Sequence, residues 1–372
     1  MWKSPTTLTS SQGSRSTGVI SGFVFQLARR TAGLTQERLA ESLGVDVTTL
    51  QSWESGRRPL AAMPAGDFFR LGDRLIHLGA PPSTRRHLRE ALEADLVLAT
   101  GITAADAWIE PDMHPLATQV HRRSLTNLIT WPLTGKPPPH FTEFIPKVPR
   151  RGPGARQPHL SAEEIRRLFD HLITVAEQGR RPEDALLRRQ AVYLLSFDDR
   201  PHIVDWLREE WQRAGRKLSP DGDITTLMEA RSASVALAST GDESSLHDFL
   251  TVTANTTAET ANLNYWAHWI GESPREQNSD DFMRDIDTHL WSGARLLHHL
   301  TERLVPTSLH LPLNLHTIHA LVASRPTLLT DAATIRQPLA EALDRVASAG
   351  PLTRMGHSQV TGLHYALRIA ER

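Results

Sequence analysis

Cysteine is absent from the 372 residues, which excludes disulfides, thiolate-ligated metals and cysteine nucleophiles. Lysine is scarce: of 41 basic residues only Lys3, Lys136, Lys147 and Lys217 are lysines. That arginine bias, with abundant alanine, points to coding in a GC-rich bacterial genome and not to a function. No run of about 18 apolar residues occurs, so no transmembrane helix is expected. The opening segment is rich in Ser and Thr and lacks the apolar core of a secretory signal. Residues 1–18 therefore read as a disordered tail on a cytoplasmic protein. Strand-like alternation and hairpin turns are missing as well. So are a Gly-rich phosphate loop ending in Lys-Ser/Thr, a Gly-x-Ser-x-Gly elbow and a His-Glu-x-x-His pair. Neither an enzyme nor a cofactor is expected. The net charge of −1 requires any basic surface to be local.

Present instead is helical periodicity. In 161–178, Ile165, Leu168, Phe169, Leu172 and Ala176 share one helical face, and Ser161 with Glu164 forms a capping box before it. Phe282, Ile286, Leu290, Leu297, Leu300 and Leu304 mark a second apolar stripe. The chain is expected to be all-α. Trp131–Pro158 holds Pro132, Pro137, Pro138, Pro139, Pro146, Pro149, Pro153 and Pro158, a composition for linker or irregular loop. Five segments follow: the tail 1–18, a five-helix head 19–80, a helical connector 81–130, a Pro-rich basic linker 131–160 and a helical domain 161–372. Helices are expected there at about 161–178, 183–197, 200–214, 223–239, 243–271, 280–304, 311–323, 330–348 and 355–371. Such an array is comparable to an α-solenoid or tetratricopeptide-like stack.

The informative stretch runs from Phe25 to Pro59. Phe25 and Ala28 give a first helix its apolar face. Thr35 is placed to cap a second, in which Leu39, Ala40 and Leu43 face inward and Ala40 permits close helix crossing. Gly44 stops that helix where a left-handed residue is needed. Asp46 is placed to cap a third, whose buried residues are Leu50 and Trp53. Val47, Thr48, Gln51 and Ser52 are left outside. A rigid two-helix corner presenting its second helix is what major-groove reading requires.

The stretch resembles the XRE family of helix-turn-helix regulators, the group of phage repressors and Cro proteins. The resemblance rests on Leu34-Thr-Gln-Glu-x-Leu-Ala40 and Trp53-Glu-x-Gly-x-Arg-Pro59, in register. It implies that Gln36 holds a phosphate and that Val47, Thr48 and Ser52 meet base edges, with Gln51 at the rim. It implies further that Arg57 and Arg58 meet backbone phosphates, and that Arg29 and Glu54 form an architectural ion pair. The pairing of Arg58 with Pro59 departs from the family pattern and blurs which arginine occupies the family position. Between Arg15 and Leu60, six Arg against four acids leave only +2, too little for one head to bind tightly, so a homodimer on double-stranded DNA is expected. Lys147, Arg150, Arg151 and Arg156 add charge in the linker, either against the duplex or simply solvated.

Other constellations carry less. His316 and His319 are three apart, with His298, His299 and His310 near in sequence, but no motif accompanies them and no metal site is expected. Asp198-Asp199 and Asp280-Asp281 are adjacent and point apart on a helix. The Asn262-x-Asn264-Tyr265-Trp266-x-x-Trp269 stretch either lines a ligand pocket or packs between helices. With Trp131-Pro132-Leu133-x-Gly135 it is similar to large XRE-type regulators of GC-rich Gram-positive bacteria. The resulting expectation is a sequence-specific transcriptional regulator. Its helical domain would dimerise the protein, receive an unidentified small-molecule or protein effector, or both. The alternative is a protein-interaction scaffold, an antitoxin or defence adaptor, whose head only autoregulates its operon.

Overall fold

A computed structural model describes residues 18–117, 121–141, 144, 157–220, 222–273, 275, 277, 279–285 and 291–371. The tail to residue 17 lies outside these, as do the linker cations Lys147, Arg150, Arg151 and Arg156 and the stripe residues Ile286 and Leu290. Seventeen α-helices and no strand occur among the described residues. None of these helices is long and apolar enough to cross a membrane.

The chain divides into two compact units, one containing residues 1–119 and 123–174, the other 120–122 and 175–372. The first begins with α1 (Val19–Thr31), α2 (Gln36–Leu43), α3 (Val47–Glu54), α4 (Ala65–His77) and α5 (Thr84–Ala104). Helix α1 is buried nearly all round, through Ile20, Phe23, Val24, Phe25, Leu27 and Ala28, because α3 and α5 both pack on it. Its open N-terminus is closed from 75 residues away. The backbone N–H groups of Ile20 and Ser21 donate to the two carboxylate oxygens of Asp95 on α5, at 2.8 and 2.9 Å. Orphan donors at a helix start need such acceptors. Burial nonetheless pushes the Asp95 carboxyl up to about 7, against the pull of these hydrogen bonds.

Helix α6 (Arg123–Thr134) continues through Pro132, so the segment expected as linker from residue 131 begins as helix. A proline forfeits one backbone hydrogen bond, and here it falls in the last turn, where only Leu133 and Thr134 follow. Trp131 explains the extension, since its buried ring packs edge-on against Phe23 of α1 at 5.2 Å. Helix α7 (Ala162–Gln178) opens with the capping box, Glu164 accepting from Ser161 N–H at 2.8 Å.

The second unit takes up the chain in the final turn of α7. It continues with α8 (Ala185–Leu195), α9 (Pro201–Gly215), α10 (Ile224–Ala238), α11 (Ser244–Thr253) and α12 (Thr257–Trp269). Then come α13 (Ala294–Thr301), α14 (Leu311–Ser324), α15 (Leu328–Asp331), α16 (Arg336–Ala349) and α17 (Arg354–Ala370). Helix α10 is its hub, packed on α8, α9 and α11, while α14 packs on α17 as well as on α12 and α13. Two buried helices with several partners each depart from strict neighbour-on-neighbour stacking.

Two expected helices are shorter than their periodicity implied. The span 243–271 breaks at Asn255, which adopts a left-handed φ of 59°, and Thr256 then caps α12 by accepting from Ala258 N–H. Asparagine tolerates that conformation and Thr favours the cap. Among its described residues, the span 280–304 holds a 3-10 turn at Asp280–Arg284 and α13, the latter started by Gly293 at φ 91°. Two buried arginines of this unit are paired with carboxylates. Arg189 is bidentate to Asp280 at 2.7 and 2.9 Å, with His121 Nε2 on the same carboxylate at 3.1 Å. Arg188 reaches Glu210, Glu229 and the carbonyl of Ala176.

Candidate nucleic-acid interface

The reading head is built as a corner. Thr35 accepts from the backbone N–H of Arg38 at 3.2 Å and starts α2. Gly44 ends it at φ 66°, ψ 35°, a conformation that costs a side-chain-bearing residue but not glycine. Asp46 occupies the N-cap position of α3 with extended backbone, yet its side chain makes no capping hydrogen bond. The expected Asp46 cap is thus positional only. Leu39, Ala40, Leu50 and Trp53 are buried, and Trp53 meets Phe25 edge-on at 6.3 Å. Gly22 permits the closest approach. A Cβ there would stand 2.3 Å from the carbonyl oxygen of Trp53, so α1 lies directly on the backbone at the end of α3.

Beneath the corner is a buried ion pair. Arg29 Nε and Nη2 donate to the two oxygens of Glu54 at 2.5 and 3.0 Å, and Nη1 donates to the Leu34 carbonyl at 2.7 Å. Both side chains are over nine-tenths buried. One guanidinium thereby ties the start of the turn before α2 to the last residue of α3. The bidentate fork is the strong form of this contact.

Glu54 also accepts from Gln36 Nε2 at 2.6 Å, and Gln36 Oε1 accepts from Gln51 Nε2 at 3.3 Å. A relay Arg29–Glu54–Gln36–Gln51 therefore runs from the interior to the outer face. It fixes the Gln36 amide with its oxygen toward Gln51 and leaves the second N–H of its Nε2 for an incoming acceptor. The spacing of residues could not show this relay, because Gln36 and Glu54 lie 18 positions apart.

On the outer face Thr48 and Gln51 are exposed, and Val47 and Ser52 half-buried. Ser52 Oγ donates to the Thr48 carbonyl at 2.7 Å. Its proton is therefore committed to the helix, and its lone pairs face outward as acceptors, suited to amino groups of adenine or cytosine. Arg57 and Arg58 are both exposed but differ in setting. Arg57 Nε donates to Ser55 Oγ at 3.2 Å. Arg58 lines a cavity of about 910 Å³ with Val45, Trp53, Asp67 and Arg74.

The remaining candidates are absorbed elsewhere. His316 pairs with Glu259 at 3.1 Å and Gln359 at 2.9 Å, His310 faces Ser239, and His298 reaches Glu302 at the surface. Asp280 serves Arg189 and His121, and Asp198 serves Arg200. In the aromatic stretch, Arg231 donates to Asn262 and lies 4.1 Å above the Tyr265 ring. Asn264 accepts from Trp291 Nε1 and donates to the carbonyl of Asp285.

A capped, left-handed-turn corner with a hydroxyl- and amide-bearing outer helix is a helix-turn-helix DNA-binding domain. Residues 26–63 match the family model described as helix-turn-helix, of the XRE type. No curated protein and no solved structure matches the chain.

Proposed function

We propose that the chain is a transcriptional regulator that reads a specific sequence in the major groove of double-stranded DNA through α3. Thr48, Ser52, Val47 and Gln51 meet base edges, while Gln36, Arg57 and Arg58 hold phosphates. The protein acts in the cytoplasm as a homodimer, without catalysis, and the second unit serves dimerisation or receives an effector. The observation that carries this reading is the family match over 26–63 together with the outward amide and hydroxyl groups of α2 and α3. The small net charge of the head supports the dimer, because two linked heads raise avidity about 10²–10⁴-fold over one.

The test is selection of bound fragments from genomic DNA by the intact purified protein, followed by sedimentation of the complex. Enrichment of inverted half-sites, roughly 34 Å or a multiple apart, and a mass of two chains per duplex are expected. Failure to enrich any sequence over random DNA refutes the specific-reader assignment, and a single chain on the full operator refutes the dimer.

A further inference from the structure

We propose that His87, Glu90 and His140 form a binding site for a divalent transition cation of the zinc class, in the same unit as the reading head. No local motif announces it. His87 and Glu90 lie one turn apart on α5, but His140 comes from the 3-10 turn Pro139–Phe141, about fifty residues later.

The geometry is that of three ligands around a common point. One donor atom from each residue lies within 4.8 Å of the others. Glu90 Oε2 stands 3.7 Å from His87 Nδ1 and 3.9 Å from His140 Nε2, too far for hydrogen bonds. Two ligand atoms on one zinc ion, each about 2.0–2.2 Å from it, are roughly 3–4 Å apart. The spacing therefore fits a bridging ion better than direct contact. Glu90 Oε2 is buried and accepts no hydrogen bond from any described residue, and His140 Nε2 is likewise buried without a partner among them. Buried acceptors are seldom left so.

The surroundings are those of a built site. Ser124 Oγ donates to the other carboxylate oxygen, Glu90 Oε1, at 3.1 Å, the kind of outer contact that orients a metal-binding carboxylate. Phe141 and Phe144 pack on the His87 ring at 4.5 and 5.2 Å, giving an apolar wall. His87 is fully buried, whereas about a fifth of the His140 side chain is exposed, which puts His140 at the rim of the site. Arg86 and Arg123 act electrostatically on His140, and their charge opposes any cation held by charge alone. Two imidazoles and one carboxylate select zinc, cobalt or nickel over calcium or magnesium.

The test is titration of the intact, chelator-treated protein with Zn²⁺ alone by calorimetry, and with Co²⁺ by visible absorption. One equivalent with a micromolar or tighter constant is expected, with ligand-field bands of a nitrogen- and oxygen-ligated Co²⁺. His140→Ala, at the rim, should cost at least about 100-fold in affinity while helicity by circular dichroism is unchanged, and Ser124→Ala about tenfold. Glu90→Gln serves as a second ligand variant with the same expected loss. An intact protein that takes up no Zn²⁺, or one whose affinity is the same in the folded His140→Ala variant, overturns the proposal. Both readouts are independent of DNA.

Discussion

Replacing Glu54 by Ala is expected to do more damage than its position at the end of an eight-residue helix implies. In the native head the Arg29 guanidinium is over nine-tenths buried, and both Nε and Nη2 donate to Glu54. Removing the carboxylate leaves that cation with the Leu34 carbonyl as its one hydrogen-bond acceptor among the described residues. Breaking one partner out of a buried pair costs about 3–5 kcal/mol, against a total stability of roughly 5–15 kcal/mol for a domain. The Gln36 amide loses its acceptor in the same step. Hydrogen exchange of amides in α2 and α3 is the suitable assay, because it reads this corner apart from the rest of the chain. Protection there should fall by a factor of about 10²–10⁴, following about 1.4 kcal/mol per decade. The double variant Arg29→Leu/Glu54→Leu should recover most of the loss, since an apolar pair of similar volume removes the uncompensated charge. A loss under about 1 kcal/mol in Glu54→Ala, or additive losses in the double variant, would refute the reasoning.

Three further outcomes are expected. Thr48→Ala with Ser52→Ala should relax operator preference by about 1–3 kcal/mol per lost base contact while binding to random DNA survives; competition binding measures this, and undiminished preference would move the reading face elsewhere. Gly22→Ala should destabilise the head by about 1–3 kcal/mol, because its Cβ meets the backbone of Trp53 at 2.3 Å, whereas helix propensity alone predicts a gain of about 1 kcal/mol; the sign of the change in denaturation midpoint decides. The buried pair His114–His171 should confer acid sensitivity. Leu116 N–H donates to His114 Nδ1, so His114 carries its proton on Nε2 and donates it to His171 Nε2 at 2.9 Å, which keeps both rings neutral. Burial, with the neighbouring His171 adding to it, pulls His114 from 6.5 down to about 4. A base depressed in the fold adds stability above pH 6.5, lost between 6.5 and 4 and worth up to about 3 kcal/mol. The stability gap between the native protein and His114→Gln should therefore narrow between about pH 7 and about pH 5, and a constant gap would count against it. Asp95, raised to about 7, acts in the opposite sense in both proteins and cancels in the difference.

The all-helical class and the reading corner were legible in the residues because both rest on local spacing. Leu39, Ala40, Leu50 and Trp53 recur at helical intervals, Thr35 and Gly44 carry their own start and stop chemistry, and all are placed as their types require. Local signals failed where a distant partner outweighed them. Trp131, held by Phe23, carries α6 through Pro132, and a left-handed Asn255 divides an unbroken apolar period. Asp46 illustrates the opposite limit, a residue of the right type at the right position whose side chain makes no cap bond.

What the sequence determined by itself was therefore the helix-turn-helix and the roster of side chains on its outer face, since 3.6-residue periodicity and capping act within a few positions. Tertiary structure alone decided the relay from Arg29 through Glu54 and Gln36 to Gln51, the closure of α1 by Asp95, and the meeting of His87 and Glu90 with His140. Each joins groups 15 to 75 positions apart. Only the packing of helices brings such groups within the few ångströms over which hydrogen bonds and metal coordination act.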